Sequence, residues 1–143
     1  MELSETEKLN FAIIRGSKAY EEWDRQQGMP AYLTIILYEL LLRKRLTQKD
    51  LVYLSDLPKQ SINKGILQLR DEGYLTLEQD EKDNRVKYCF LTEEGEEYAR
   101  VKIQPLLDIE EKIIMKMGKK KIEQLNELLE EWNLNFKKYK DEE

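Results

Sequence analysis

A chain of 143 residues, 37% of them charged and rich in Glu, Lys and Leu, is sized for one mainly helical domain with its own core. A single cysteine and no histidine exclude an intramolecular disulfide, a conventional zinc site and a nucleophile–His pair, and no run approaches the roughly 20 apolar residues that span a membrane. The net charge of −5 hides a basic island: Arg43, Lys44, Arg45, Lys49, Lys59, Lys64 and Arg70 stand against only Asp50 and Asp56, a surplus of five that leaves −10 for the rest and marks where a polyanion would sit.

Ser4-Glu5-Thr6-Glu7 reads as a capping box opening a first helix, whose apolar stripe runs through Leu9, Ile13, Tyr20 and Trp23 to an end near Gln27-Gly28. Pro30 suits the first turn of a second helix, which extends to about Arg45 and is apolar enough through Leu33, Ile36, Leu37, Leu40 and Leu41 to be largely buried. Thr47 caps a short third helix from Gln48 to Leu54, and Ser55-Asp56-Leu57-Pro58 forms a break. A fourth helix follows from Lys59 to about Glu72, stopped by Gly73. Two helices joined by so short a turn form a helix-turn-helix.

The period then changes from helical to alternating. Leu75 and Leu77, then Val86, Tyr88 and Phe90, flank the polar segment 79–84, which predicts a two-stranded hairpin, or wing. Thr92 caps a long fifth helix that Pro105 is positioned to kink, and Gly118 separates it from a sixth. That last helix carries Ile122, Leu125, Leu129, Trp132, Phe136 and Tyr139 at alternating spacings of three and four, a seam that wants another helix against it. Either a second subunit supplies that helix, or the seam packs within the chain on the first helix. A shared layer of the first, fifth and sixth helices would satisfy both readings. With Leu9 and Ile13 on the first helix, Ile122, Leu125, Leu129, Trp132 and Phe136 are the dimerisation candidates.

On the fourth helix Ile62, Ile66 and Leu69 define one face, while Gln60, Asn63, Lys64 and Gln68 fall on or near the other. Amide and ammonium groups at those positions suit base edges and phosphates, although an ordinary solvated face has the same pattern. Gly65 interrupts this helix, and a close approach to the third helix is the expected reason.

Three segments then carry a resemblance: Leu46-Thr47-Gln48-Lys49-Asp50-Leu51, Lys59-Gln60-Ser61-Ile62-Asn63-Lys64, and Leu69-Arg70-Asp71-Glu72-Gly73-Tyr74-Leu75. Together with Asp83-Asn84-Arg85 and Leu91-Thr92-Glu93-Glu94-Gly95, they make the chain resemble the MarR family of winged helix-turn-helix transcriptional regulators. The resemblance implies a mainly α fold with a small β wing, and a homodimer that binds a pseudo-palindromic operator in double-stranded DNA, usually as a ligand-responsive repressor. It implies an N-terminal dimerisation helix over 1–28, a DNA-binding lobe over 29–95 and C-terminal dimerisation helices over 96–143. It also implies DNA contacts from Lys49, Lys59, Gln60, Ser61, Asn63, Lys64 and Gln68, with Arg85 entering the minor groove while Asp83 holds its guanidinium. The family arginine in the middle of the recognition helix is Lys64 here, which keeps the charge and loses the bidentate fork.

Arg15, Trp23, Tyr32 and Tyr38 are the candidates for binding an aromatic or anionic effector, though aromatics at helical spacing are also ordinary core. Cys89, on a wing strand, reads as a small buried hydrophobe. No cofactor, metal or catalytic group is expected, and the expected location is the cytoplasm. The competing functional reading is a winged-helix module that docks a protein instead of DNA.

Overall fold

The computed structural model describes residues 1–142. It contains α1 (Glu5–Gln27), α2 (Ala31–Arg43), β1 (Leu46–Thr47), α3 (Gln48–Ser55), α4 (Lys59–Asp71), β2 (Leu75–Gln79), β3 (Lys87–Leu91), α5 (Glu93–Met117) and α6 (Lys119–Asp141). The chain divides into two compact units, Met1–Ile103 and Gln104 onward, with the division falling inside α5 beside Pro105.

Helix starts follow from local hydrogen bonding. The Ser4 hydroxyl accepts from the Glu7 amide while the Glu7 carboxylate accepts from the Ser4 amide, and Thr47 with Asp50 repeats the arrangement at α3. Each pair satisfies two amides that the first turn leaves without helical partners. Gly28 ends α1 in the left-handed region, and Gly73 does the same just past α4, where the Tyr74 amide reaches back to the Leu69 carbonyl at 2.9 Å. α2 stops at Arg43, two residues short of the expected end, because Lys44 adopts a φ of 72° and turns the chain into β1.

The core of the first unit forms around α2, whose Leu33, Ile36, Leu37, Leu40 and Leu41 are buried. Leu51 of α3 and Ile62, Ile66 and Leu69 of α4 pack on it, and Leu46, Leu75, Cys89, Ala99 and Ile103 close the remaining sides. Each large side chain removed from water contributes on the order of 1.5–3 kcal/mol, so the five buried apolar side chains of α2 are the main anchor of the lobe.

Three expectations need correction here. The sheet has three strands in the order β1-β3-β2, because Leu46 and Thr47 pair with Cys89 and Tyr88. On β3 the alternating set of Val86, Tyr88 and Phe90 does not point inward: Cys89, buried as its reading as a small hydrophobe had it, faces in opposite Leu77, whereas Tyr88 and Phe90 take the other face and Val86 precedes the strand. The reason for Gly65 is α2, not α3: a Cβ there would stand 2.6 Å from Ile36 Cδ1 and 2.9 Å from Tyr32 Cδ2. Two helices approach so closely at this point that only a hydrogen fits between them.

The wing is tied to α5 by a compact joint. The Thr92 hydroxyl donates to the Gly73 carbonyl at 2.7 Å and accepts from the Gly95 amide at 2.9 Å, while the Thr92 amide donates to the Tyr74 carbonyl at 3.0 Å. Any Cβ on Gly95 would collide with that same Tyr74 carbonyl oxygen. The Tyr74 and Tyr98 rings stack beside the joint with centroids 4.2 Å apart.

Apolar side chains also remain in solvent. On α1, Phe11, Ile13, Ile14 and Tyr20 are exposed and nothing is buried. In the second unit, Leu125, Leu128, Trp132, Leu134, Phe136 and Tyr139 of α6 are exposed. Leu9, Ile122 and Leu129 are half-buried.

Candidate nucleic-acid interface

The recognition face is built from α4 outward. Pro58 precedes the helix with an extended backbone, and the Ser55 hydroxyl shapes the turn before it, accepting from the Leu57 amide at 3.1 Å and donating to the Val52 carbonyl. With Ile62, Ile66 and Leu69 buried, the 3.6-residue period leaves Lys59, Gln60, Asn63 and Lys64 exposed. Ser61 and Gln68 are half-buried, and the Gln68 amide donates to the Glu72 carboxylate at 3.3 Å, which commits it to its own helix in this state. Lys49 is exposed on α3, two residues past the Thr47 cap.

The basic island is less uniform than its sequence. Arg43 pairs with the nearly buried Glu39 at 2.9 Å, Lys44 with Glu96, and Arg70 with Asp71. Arg45 lies 3.5 Å from the centroid of the Tyr88 ring, on the outward face of β3. Lys49, Lys59 and Lys64 make no ion pair among the described residues, and they belong to the two helices of the helix-turn-helix. The cations left for a polyanion are therefore those nearest the recognition face.

At the wing tip, the Asp80 carboxylate accepts from the Lys82 and Asp83 amides at 3.1 and 3.0 Å, closing the turn between β2 and β3. Asp83 then accepts from the Arg85 amide at 3.0 Å, from its Nε at 3.1 Å and from its terminal nitrogen at 3.3 Å. The two side-chain bonds form a fork, and they hold the Asp83 carboxyl below the usual carboxylate range. The Arg85 side chain is 91% exposed although braced on one edge, so its other donors face solvent. Sequence reasoning found Asp83 and Arg85; Asp80, which shapes the turn they stand on, it missed, and the only signal was an Asp near the start of the polar segment 79–84.

The effector candidates lie on α1 and α2. Arg15 lies over the Phe11 ring at 5.6 Å on exposed α1, and Trp23 and Tyr38 are half-buried. Tyr32 instead meets α4, with the Lys64 ammonium 5.4 Å from its ring centroid. Cys89 is buried on β3, and burial pushes its thiol up to about 11. Among the described residues no cluster of metal-ligating side chains occurs, and no helix is long and apolar enough to cross a membrane.

No family model and no curated protein matches the sequence. Solved structures do. A MarR family regulator from Neisseria meningitidis superimposes with a TM-score of 0.85 at 24% identity, covering 98% of this chain and 99% of that one. The chain has the MarR-type winged helix-turn-helix fold. NadR, solved in complex with 4-hydroxyphenylacetate, gives a TM-score of 0.72 at 20% identity over 92% of this chain and 96% of its own. Bordetella bronchiseptica BpsR, whose structure concerns regulation of DNA binding by 6-hydroxynicotinic acid, gives 0.67 at 14% identity over 93% and 98%. The likeness extends along nearly the whole chain, so α1, α5 and α6 belong to the shared architecture together with the winged lobe.

Proposed function

We propose that this protein is a MarR-type transcriptional regulator that binds double-stranded DNA as a homodimer on a pseudo-palindromic operator and acts as a ligand-responsive repressor. The observation that carries the reading is the Asp83–Arg85 fork: an exposed guanidinium held out at the wing tip by a carboxylate, in a fold whose α4 presents Lys59, Gln60, Asn63 and Lys64 to solvent. A narrow minor groove concentrates negative potential and favours an inserted arginine, while α4 is shaped for the adjacent major groove. Ser61 on α4 and Lys49 on α3 serve the backbone; Gln68 joins them once its bond to Glu72 opens.

Dimerisation is supported by the apolar side chains left wholly or partly in water on α1, through Leu9 and Ile13, and on α6, through Ile122, Leu125, Leu129, Trp132 and Phe136. Two copies would set their recognition helices about 34 Å apart, one turn of DNA. Two neighbours in this fold are described with small aromatic acids. An effector of that chemistry, taken by Arg15, Trp23, Tyr32 and Tyr38, would favour a spacing of the lobes that no longer fits successive grooves.

The test is binding to the chain's own promoter region and to random duplex DNA, titrated across salt. Promoter binding about a thousandfold tighter than random, weakening steeply with salt, is the expected result. Indifference to both DNAs at low salt would sink the reading and leave a protein-docking winged helix in its place.

A further inference from the structure

Two residues that sequence reasoning assigns to different sites meet in the structure. Tyr32 of α2 stands among the effector candidates and Lys64 of α4 among the DNA contacts, yet the Lys64 ammonium lies 5.4 Å from the Tyr32 ring centroid. That distance is within the range over which a ring face attracts a cation. The ring itself is seated. It is half-buried, and its Cδ2 comes so near the α4 backbone that a Cβ on Gly65, the residue after Lys64, would stand 2.9 Å away.

We propose that Tyr32 is a positioning residue for Lys64: its ring holds the ammonium on the α2 side of the recognition helix, where the remaining N–H donors serve a backbone phosphate and not a base edge. This rests on the DNA-binding reading and adds a division of labour within the recognition helix. A lysine stem is flexible, and fixing it on DNA sacrifices rotamer freedom. A ring that already restricts the ammonium lowers that loss. An ammonium is a point charge without the planar fork of arginine, so a phosphate needs only its position, which the ring supplies. Gly65 is part of the device, since a Cβ there would force Ile36 or the Tyr32 ring to shift.

The experiment compares the full chain with Tyr32→Phe, Tyr32→Leu, Lys64→Gln and the Tyr32→Leu/Lys64→Gln double variant, on promoter and random duplexes. Phe keeps the ring face and should retain the DNA affinity that Leu loses. Leu should weaken binding to both DNAs about two- to fivefold and leave their ratio unchanged. Lys64→Gln should weaken both and lower the salt slope by about one. In the Lys64→Gln background Tyr32→Leu should do nothing further, because the residue acts only through the lysine. An undiminished Leu effect in that background would overturn the proposal in favour of plain α2–α4 packing, and a selective loss on promoter DNA would overturn the phosphate assignment. NMR of the DNA-free protein gives the separate readout: the Lys64 ε-methylene protons should be shifted upfield by the ring in the parent and in Tyr32→Phe, and not in Tyr32→Leu. Unshifted protons in the parent overturn the contact itself. A parent that shows the shift but binds neither DNA overturns the DNA-binding reading and, with it, the phosphate role.

Discussion

Asp83 and Arg85 form an ion pair so exposed that it adds little to the fold, since water and salt screen it. Its effect should therefore appear in binding. Arg85→Ala is expected to weaken promoter binding about tenfold or more while the thermal midpoint stays unchanged, as measured by fluorescence anisotropy beside differential scanning calorimetry. Asp83→Asn keeps the guanidinium but loosens its aim, so a smaller loss is expected. The pH dependence has a definite sign. The Asp83 carboxyl is depressed below its ordinary value of 3.8, so the brace is complete above that value and is lost only as pH falls through the lower folded-state value. With no histidine in the chain, DNA affinity should be flat from pH 5.5 to 8, and a step in that window would count against the brace. Cys89 behaves in the opposite sense. Its thiol is raised from 9.0 to about 11 by burial, so the unfolded chain gives up this proton first and the linked stability falls as pH rises from about 9 to 11. Below that range the native thiol should resist alkylating reagents that label it promptly in urea.

At the scale of elements, the glycines of α4 and α5 carry the tightest contacts. Gly65→Ala gains about 1 kcal/mol of helix propensity but overpacks the α2–α4 contact by roughly 1–3 kcal/mol, so a modest net destabilisation is expected in urea titration. Gly95→Ala should be worse, because its Cβ meets a backbone carbonyl that cannot rotate aside and that also accepts the Thr92 amide. These contacts mark the limit of what the sequence discloses. The Ser4–Glu7 capping box was legible because its partners sit three residues apart, Thr47 was legible as a cap although its reciprocal bond with Asp50 was not, and the stripe of Ile62, Ile66 and Leu69 was legible because one face of α4 is apolar. β1 was not, since two residues cannot display an alternation and their pairing with β3 is distant in sequence. On β3 the burial of Cys89 was legible, but the alternating set through Tyr88 and Phe90 was misread, because Tyr88, Cys89, Phe90 and Leu91 are apolar or aromatic in succession and periodicity cannot choose between parities. The Asp83–Arg85 pair was legible as a motif, while the meeting of Tyr32 with Lys64 depends on a helix packing distance that no local pattern encodes.

For the molecule as a whole, the apolar side chains of α6 decide between a monomer and a dimer. Phe136 is 62% exposed and Trp132 39% exposed in the single chain. A carboxylate at Phe136 is therefore tolerated by an isolated subunit, which leaves it in water. In a dimer that buries the seam, the same carboxylate must be desolvated without a partner, which costs several kcal/mol. Phe136→Glu should consequently give a folded, helical monomer in sedimentation velocity at concentrations where the parent is dimeric. Because a monomer reaches one half-site only, it forfeits the effective concentration that links two weak contacts, and operator affinity should fall by about a hundredfold or more. Arg85→Ala offers the contrast, since it should weaken binding without dissociating the dimer. A Phe136→Glu protein that sediments like its parent would place the α6 seam outside the subunit interface, and undiminished operator binding by a true monomer would remove the need for two half-sites.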